Sequence, residues 1–407
     1  MVRSNPLGVG VRLELEDVLG SRTLDEADLT LGQILAAHRL PETLFQPYLV
    51  VDGTTTPISL ATRLTDLPAR TDRVILRAIR NTLFPAILPP SSKHDTFPRA
   101  PVPPKPGVGF RQVQPTDDGA VEAHVNLVPT HARDLVREQV SEFFRSYGSP
   151  DQGCVFGVSG GGDSNALAYG LRATLDASQL VAFTLVFEPV FSVAAASRAT
   201  VLCGELGIAH QVLQPDDVAS KLGMTSSLDE LYADFSDAFT NEALHFFGTF
   251  LILRTARRLA DEHGFNQLAF GYNREDLLAE LLFMLMNGYR PLSYPVRTLG
   301  RHRILMPVWQ CPKLLLDACH PRFSLDNYRE RDPFTTRQRS LAFFLAHTMD
   351  SSYPSFGLSL LQGASTALDG CWGDLVHDDE MDLFIAQQAE PASIDKVRDL
   401  LARHFAS

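Results

Sequence analysis

The stretch from residue 154 to residue 170, CVFGVSGGGDSNALAYG, decides how this chain folds. The apolar run Cys154-Val155-Phe156-Gly157-Val158 has the pattern of a buried strand. It breaks at Ser159-Gly160-Gly161-Gly162-Asp163-Ser164 and resumes with Ala166, Leu167 and Ala168 at helical spacing, which predicts a strand, a glycine turn and a helix start. Three successive glycines let backbone N–H groups turn inward without steric penalty. Ser159 and Ser164 add hydroxyl groups and the helix N-terminus adds positive potential, so the turn suits a phosphate. No lysine follows the glycines. Asp163 stands inside the anion cradle instead, where it would repel a bare phosphate unless a divalent cation lay between them.

A second strand, turn and helix start is expected at Leu268-Ala269-Phe270, then Gly271-Tyr272-Asn273, with Leu277, Leu278, Leu281, Leu282 and Leu285 as the apolar helix face. Asp276 and Glu280 fall on one face of that helix. Like charges at this spacing cost roughly 0.2–0.5 kcal/mol unless a cation lies between them; the alternative is two solvated acids. A third segment runs from Phe323 to Phe356 and carries Asp326-Asn327, Arg331-Asp332 and Thr336-Arg337-Gln338-Arg339.

The glycine turn resembles the SGGxDS loop of the PP-loop, or N-type ATP pyrophosphatase, superfamily. Residues 269–288 resemble the GHHxDDxxET segment of tRNA-lysidine and tRNA-thiocytidine synthases, with Gly271, Asp276 and Glu280 in register; Tyr272 and Asn273 replace the paired histidines, Glu275 the first aspartate and Leu281 the threonine. The Arg337 and Arg339 segment is similar, more loosely, to an arginine-bearing stretch of the lysidine synthases. The resemblance covers roughly residues 130–360. It implies an ATP cradle at Ser159, Gly160, Gly161, Gly162, Asp163, Ser164 and Gly271, Mg²⁺ held by Asp163, Asp276 and Glu280, and catalytic roles for Asp163, Arg337 and Arg339. The implied reaction is adenylation of a substrate oxygen with release of pyrophosphate, followed by attack of lysine, ammonia or sulfide. A tRNA base heads the acceptors; a small-molecule ligase, a sulfur-transfer enzyme and a silent nucleotide-binding scaffold are the alternatives.

Alternating strands and helices between residues 130 and 322 imply an α/β fold, a parallel sheet flanked by helices, with ligand at the carboxyl ends of the strands; the PP-loop resemblance implies that this sheet is of the adenine nucleotide alpha hydrolase kind. Before it, residues 1–87 read as strand (Val11, Leu13, Leu15), helix (Leu31 to His38), hairpin (Tyr48 to Ile58 around Asp52-Gly53) and a last strand (Val74 to Ile79). This layout resembles the β-grasp of ubiquitin-like proteins. No Gly-Gly ends it, so a docking module for a protein partner is the preferred role over a thiocarboxylate carrier. Residues 88–129 read as a proline-rich linker, with Pro89, Pro90, Pro98, Pro101, Pro103, Pro104 and Pro106. Residues 323–407 are expected to be mainly helical with an acidic tail.

The chain has 407 residues, 45% of them hydrophobic and 21% charged, an ordinary globular balance. Without an 18-residue apolar run or a leading signal segment, it is expected in the cytoplasm and off the membrane. A net charge of −12 argues against tracking a long phosphate backbone. A local strip, Arg290, Arg297, Arg301, His302 and Arg303, is the place where one RNA loop could touch; an ATP-phosphate or surface cluster is the competing reading. Five cysteines without a CxxC pair give no zinc or iron–sulfur spacing. Cys311 is the one weighed as catalytic, since a thiolate near Lys313 could carry a persulfide.

Overall fold

The computed structural model describes residues 11–17, 20–24, 29–79, 107–117, 119–149, 151–188, 190–239, 243–330, 336–352 and 355–405. In the N-terminal module β1 (Arg12–Asp17), β2 (Gly20–Leu24), α1 (Leu31–Ala37), β3 (Phe45–Val51), β4 (Thr54–Pro57) and β5 (Thr71–Ala78) follow in order. The five strands form one sheet in the order β2-β1-β5-β3-β4, with β1 and β5 parallel and the other neighbours antiparallel. Thr30 and Gln33 cap α1 reciprocally, and its Leu31, Ile34 and Leu35 are buried against Leu13, Leu15 and Leu76. Asp52 and Gly53 both take positive φ, +47° and +73°, as a two-residue hairpin turn requires. The edge strand β2, Gly-Ser-Arg-Thr-Leu, has no apolar alternation and was not expected.

The residues from 107 onward correct the linker reading. β6 (Val108–Thr116) and β7 (Gly119–Leu127) pair antiparallel along their whole length, and Val108, Phe110 and Leu127 are buried in the central core. Apolar burial against a distant part of the chain ties down what the prolines suggested would stay extended. Pro89 to Pro106 lie outside the described residues.

The central unit runs through α2 (Pro129–Tyr147), β8 (Cys154–Gly157), α3 (Gly162–Thr174), β9 (Leu180–Leu185), α4 (Val193–Leu206) and β10 (Ala209–Leu213). It continues with α5 (Pro215–Leu222), α6 (Leu228–Phe239), α7 (Ala243–His263), β11 (Gln267–Ala269), α8 (Arg274–Met286), β12 (Val296–Leu299), β13 (His302–Leu305) and α9 (Lys313–Cys319). Six strands form a sheet in the order β10-β9-β8-β11-β13-β12, all parallel except the edge strand β12. Alternate residues feed two cores: Cys154 and Phe156 pack on one face with α2, α3 and α9, and Val155 with Phe183 on the other with α5, α6 and α7. Helices on both faces explain why these strands are almost continuously apolar. From β8 the chain moves outward to β9 and β10; β11 and β13 lie on the other side. The order therefore reverses between β8 and β11, the position at whose strand carboxyl ends open α/β sheets bind their ligands.

The last part comprises α10 (Pro321–Glu330), α11 (Arg337–Ser352), α12 (Phe356–Ala367), β14 (Leu375–Asp378), β15 (Leu383–Ala386) and α13 (Pro391–Ala402). The acidic residues do not trail off as a tail. Asp378, Asp379, Glu380 and Asp382 form the turn between β14 and β15, where Asp382 meets Arg257 at 2.6 Å and Arg258 at 3.2 Å on α7, and Asp378 meets Arg398 at 3.0 Å on α13. Facing arginines make this density of negative charge stable. Burial works against the Asp382 carboxylate, but the Arg257 bond and charge outweigh it and hold its pKa below the ordinary value. No helix among the described residues is long and apolar enough to cross a membrane.

Two histidines make stability depend on pH. Burial, reinforced by Arg111, lowers His124 to about 4, and burial with Arg133 lowers His320 to about 4. The unfolded chain takes up these protons near 6.5 while the folded chain refuses them. Their contribution is therefore full above pH 6.5 and is lost as the pH falls toward 4. Denaturant titrations should show up to about 3 kcal/mol lost per histidine across that window, and a His124→Asn, His320→Asn double variant should have a flatter profile.

Candidate functional site

The loop leaving β8 is shaped by contacts that admit only glycine at key places. Gly160 has φ +67°, and a Cβ there would lie 2.4 Å from the Ala195 carbonyl oxygen. Gly162 is equally restricted: its Cβ would lie 2.3 Å from Asp317 Oδ1 and 2.4 Å from Ser324 Oγ. The Ser159 amide donates to Ser164 Oγ at 3.0 Å, the two hydroxyls are 3.1 Å apart, and Arg198 Nε donates to the Gly160 carbonyl at 3.2 Å. Gly161 is the N-cap of α3 and supplies no side-chain cap, which leaves the first-turn amides to an incoming anion.

The loop leaving β11 meets the first loop directly. A Cβ on Gly271 would stand 3.2 Å from the carbonyl of Asp163 and 3.3 Å from the Ser164 nitrogen, so the backbones of the two turns touch. Asn273 caps α8: its Oδ1 accepts from the Asp276 amide at 2.9 Å, and Asp276 accepts in return from the Asn273 amide at 3.4 Å. This capping box gives a structural reason for asparagine where the resembled segment has histidine.

Beneath both turns lies a buried ionic network. Lys313, the first residue of α9, donates from Nζ to Asp163 Oδ1 at 3.0 Å and to Asp317 Oδ1 at 2.8 Å. Burial opposes the ammonium charge, but the two carboxylates outweigh it and hold the Lys313 pKa above the ordinary lysine range. Burial raises the Asp317 pKa, with Lys313 pulling the other way. The Lys313 amide donates to Glu275 Oε2 at 2.8 Å, and Arg274 pairs with Glu275 at 3.2 Å and with Asp350 of α11 at 2.6 Å. Each buried charge thus has a partner, the condition under which burial is tolerated.

The three carboxylates expected to hold a metal have separate partners here. Asp163 is held by Lys313, Asp276 caps its own helix, and Glu280 forms a two-pronged pair with Arg297, whose Nη1 contact is 3.3 Å. Among the described residues no three His, Cys, Asp or Glu side chains form a group able to hold a metal ion. The residues as placed do not fit a three-carboxylate Mg²⁺ site. Asp276 and Glu280 instead surround Tyr272, whose hydroxyl is pushed up to about 12 by burial and then by Glu280.

Arg339 and Arg337 separate. Arg339 stacks over Phe283 of α8 at 4.1 Å and adds positive charge near Tyr272, whereas Arg337 is exposed at the start of α11. Arg331 and Asp332 lie outside the described residues. Cys311 is 3% exposed and burial pushes its thiol up to about 12, the opposite of an activated thiolate. The strip from Arg290 to Arg303 is broken up: Arg297 and His302 are buried, Arg301 and His302 both meet Asp261, Arg303 donates to the Tyr147 carbonyl at 2.7 Å, and Arg290 and Arg301 stay exposed. Sequence reading missed Lys313 and Asp317 as partners of the glycine loop. Their i, i+4 spacing was the available signal, and the neighbouring cysteines drew attention from it.

No family profile matches the chain, and no curated protein matches its sequence. Among solved structures it is similar to the U34-tRNA thiolase NcsA from Methanococcus maripaludis with its [4Fe-4S] cluster, at 18% identity and TM-score 0.48 over 60% of this chain and 82% of that one. It is also similar to an NH3-dependent NAD synthetase from Campylobacter jejuni (15% identity, TM-score 0.33, 68% and 93% covered). A third is an NMN synthetase from Francisella tularensis (13% identity, TM-score 0.29, 68% and 94% covered). With identities this low and TM-scores below 0.5, any functional assignment rests on the geometry of the two turns.

Gly160→Ala combines a disfavoured φ with the Ala195 contact. Thermal or denaturant unfolding should show it destabilised by about 1–3 kcal/mol, whereas Gly204→Ala, with nothing within 4 Å of its Cβ, should leave stability within about 1 kcal/mol of the parent.

Proposed function

We propose that this chain is a PP-loop type enzyme that uses ATP to adenylate a substrate oxygen and releases pyrophosphate. The observation that carries the reading is the contact of the two turns at the switch point, with Gly271 against the Asp163–Ser164 backbone and the Lys313 ammonium bonded to Asp163 below. In this reading the amides from Gly160 to Ser164 and the hydroxyls of Ser159 and Ser164 cradle the pyrophosphate. Lys313 lends fixed positive charge to the loop that Asp163 would otherwise make hostile to phosphate. A substrate oxygen attacks the α-phosphorus; the new O–P bond forms as the bond to the bridging oxygen breaks, and pyrophosphate leaves with the electron pair. A nitrogen or sulfur nucleophile then displaces AMP. Because Asp163, Asp276 and Glu280 are engaged separately, no step is assigned to Mg²⁺.

Motif likeness supports a tRNA base as acceptor, with Arg339 over the Phe283 ring and Arg337 exposed at the start of the same helix. One observation favours a small metabolite or a protein-bound intermediate instead: two of the four arginines of the basic strip, Arg297 and Arg301, are paired with Glu280 and Asp261, which reduces the positive charge there for an RNA loop. A cluster-dependent thiolase finds no support in the donor set, since four of the five cysteines are buried and Cys371 alone is exposed. The five-stranded N-terminal module, with its β-grasp-like strand order, fits a docking role.

Asp163→Ala should lower ATP–pyrophosphate exchange by about a hundredfold or more while far-ultraviolet circular dichroism stays that of the parent. Unchanged exchange would remove the assignment, and binding of a nonhydrolysable ATP analogue without AMP formation in cell extract would mark a silent scaffold. For the acceptor, nucleoside mass spectrometry of total tRNA from cells with and without the gene should show one modified base lost. An unchanged profile transfers the assignment to the small-molecule ligase.

A further inference from the structure

α10 and α11 each carry a pair of adjacent residues that face different parts of the protein. On α10, Leu325 is 3% exposed and packs in one apolar cluster with Tyr48, Val50 and Ile75 of the N-terminal sheet. Its neighbour Ser324 lies against Gly162, close enough that a Cβ on that glycine would stand 2.4 Å from the Ser324 hydroxyl. On α11, Ser351 accepts from the Thr43 amide at 3.0 Å and lies 2.6 Å from the Thr43 hydroxyl, which also reaches the His347 carbonyl. Its neighbour Asp350 holds Arg274, the first residue of α8, at 2.6 Å. Phe344 of α11 packs on the N-terminal core as well.

The same pattern thus occurs twice. One helix joins the module to the glycine turn after β8, the other joins it to the turn after β11, and in both cases the joint is a single peptide unit in a helix. A helix is stiff over one residue step, so a displacement on the module side is passed on rather than absorbed. We propose that the N-terminal module is a positioning clamp for both turns of the site, acting through Ser324-Leu325 and Asp350-Ser351. The module touches neither turn through these residues itself; Leu325 and Ser351 are positioning residues. Anything that grips the N-terminal sheet would then act on the geometry of the nucleotide loop. The inference goes beyond the adenylation reading, and its main readout does not depend on that reading.

Hydrogen–deuterium exchange on the full chain tests it, with the strand Leu180–Leu185 as internal control. Leu325→Ala should raise exchange at residues 159–164 by about threefold or more, and Thr43→Val with Ser351→Ala should do the same at residues 271–276, while the control strand keeps its parent rate. Leu325→Met should restore the parent pattern at residues 159–164. In pyrophosphate exchange the same variants should raise the KM for ATP; a parent without exchange activity would count against the adenylation reading and leave the hydrogen-exchange result standing. Faster exchange in the N-terminal sheet with both turns at parent rates would overturn the clamp. If Leu325→Ala does not fold by circular dichroism, the Thr43 and Ser351 pair decides the matter by itself.

Discussion

Lys313 between Asp163 and Asp317 is the contact on which the rest of the site depends. Its buried ammonium is shared by two carboxylates, the half-buried Asp163 and the buried Asp317, and Asp317 would otherwise have to give up its charge or its burial. Removing one partner of the buried pair Lys313–Asp317 would cost about 3–5 kcal/mol, whereas the more exposed Asp163 can be lost with Lys313 still paired to Asp317. The bond from the Lys313 amide to Glu275 then joins the first turn of α9 to that of α8, so one residue ties together the glycine loop, the second turn and the helix beneath them.

That bond also settles the electrostatics of the loop. An aspartate in a phosphate cradle is unfavourable by itself, and a divalent cation is one remedy. Here a fixed ammonium already stands 3.0 Å from the carboxylate. A second fixed cation, Arg297, stands on Glu280, with its guanidinium also over the ring of Tyr272, 5.7 Å from the ring centre. The charges of the site are therefore balanced internally by basic side chains from α9 and β12, elements that follow both turns in sequence.

Close approach is the companion constraint. Gly162 and Gly271 do not need positive φ; they are required because another part of the protein occupies the space of a side chain, Asp317 and Ser324 for the one and the Asp163–Ser164 backbone for the other. Both constraints come from elements far away in the chain, which is why the glycines could be recognised as a turn while their reasons could not.

Patterns carried by neighbouring residues were legible in the sequence. The apolar runs at 154–158, 180–185 and 267–270 announced the parallel sheet, and the glycine turn and the Asp52-Gly53 hairpin announced their own geometry, because period, turn chemistry and capping are local properties. The hairpin of β6 and β7 and the acidic turn between β14 and β15 were not legible, because they are held by burial or by ion pairs with residues tens of positions away, such as Asp382 with Arg257; β2 was not legible because backbone pairing with β1, not an apolar pattern of its own, makes it a strand. The site divides along the same line. Sequence determined that Ser159–Ser164 would form a phosphate-shaped turn and that Asp276 and Glu280 would share a helix face. Tertiary structure alone decided that Lys313 would reach Asp163 and that Arg297 would take Glu280, because charge pairing depends on which side chains the fold brings within about 3 Å, and no local pattern encodes that distance.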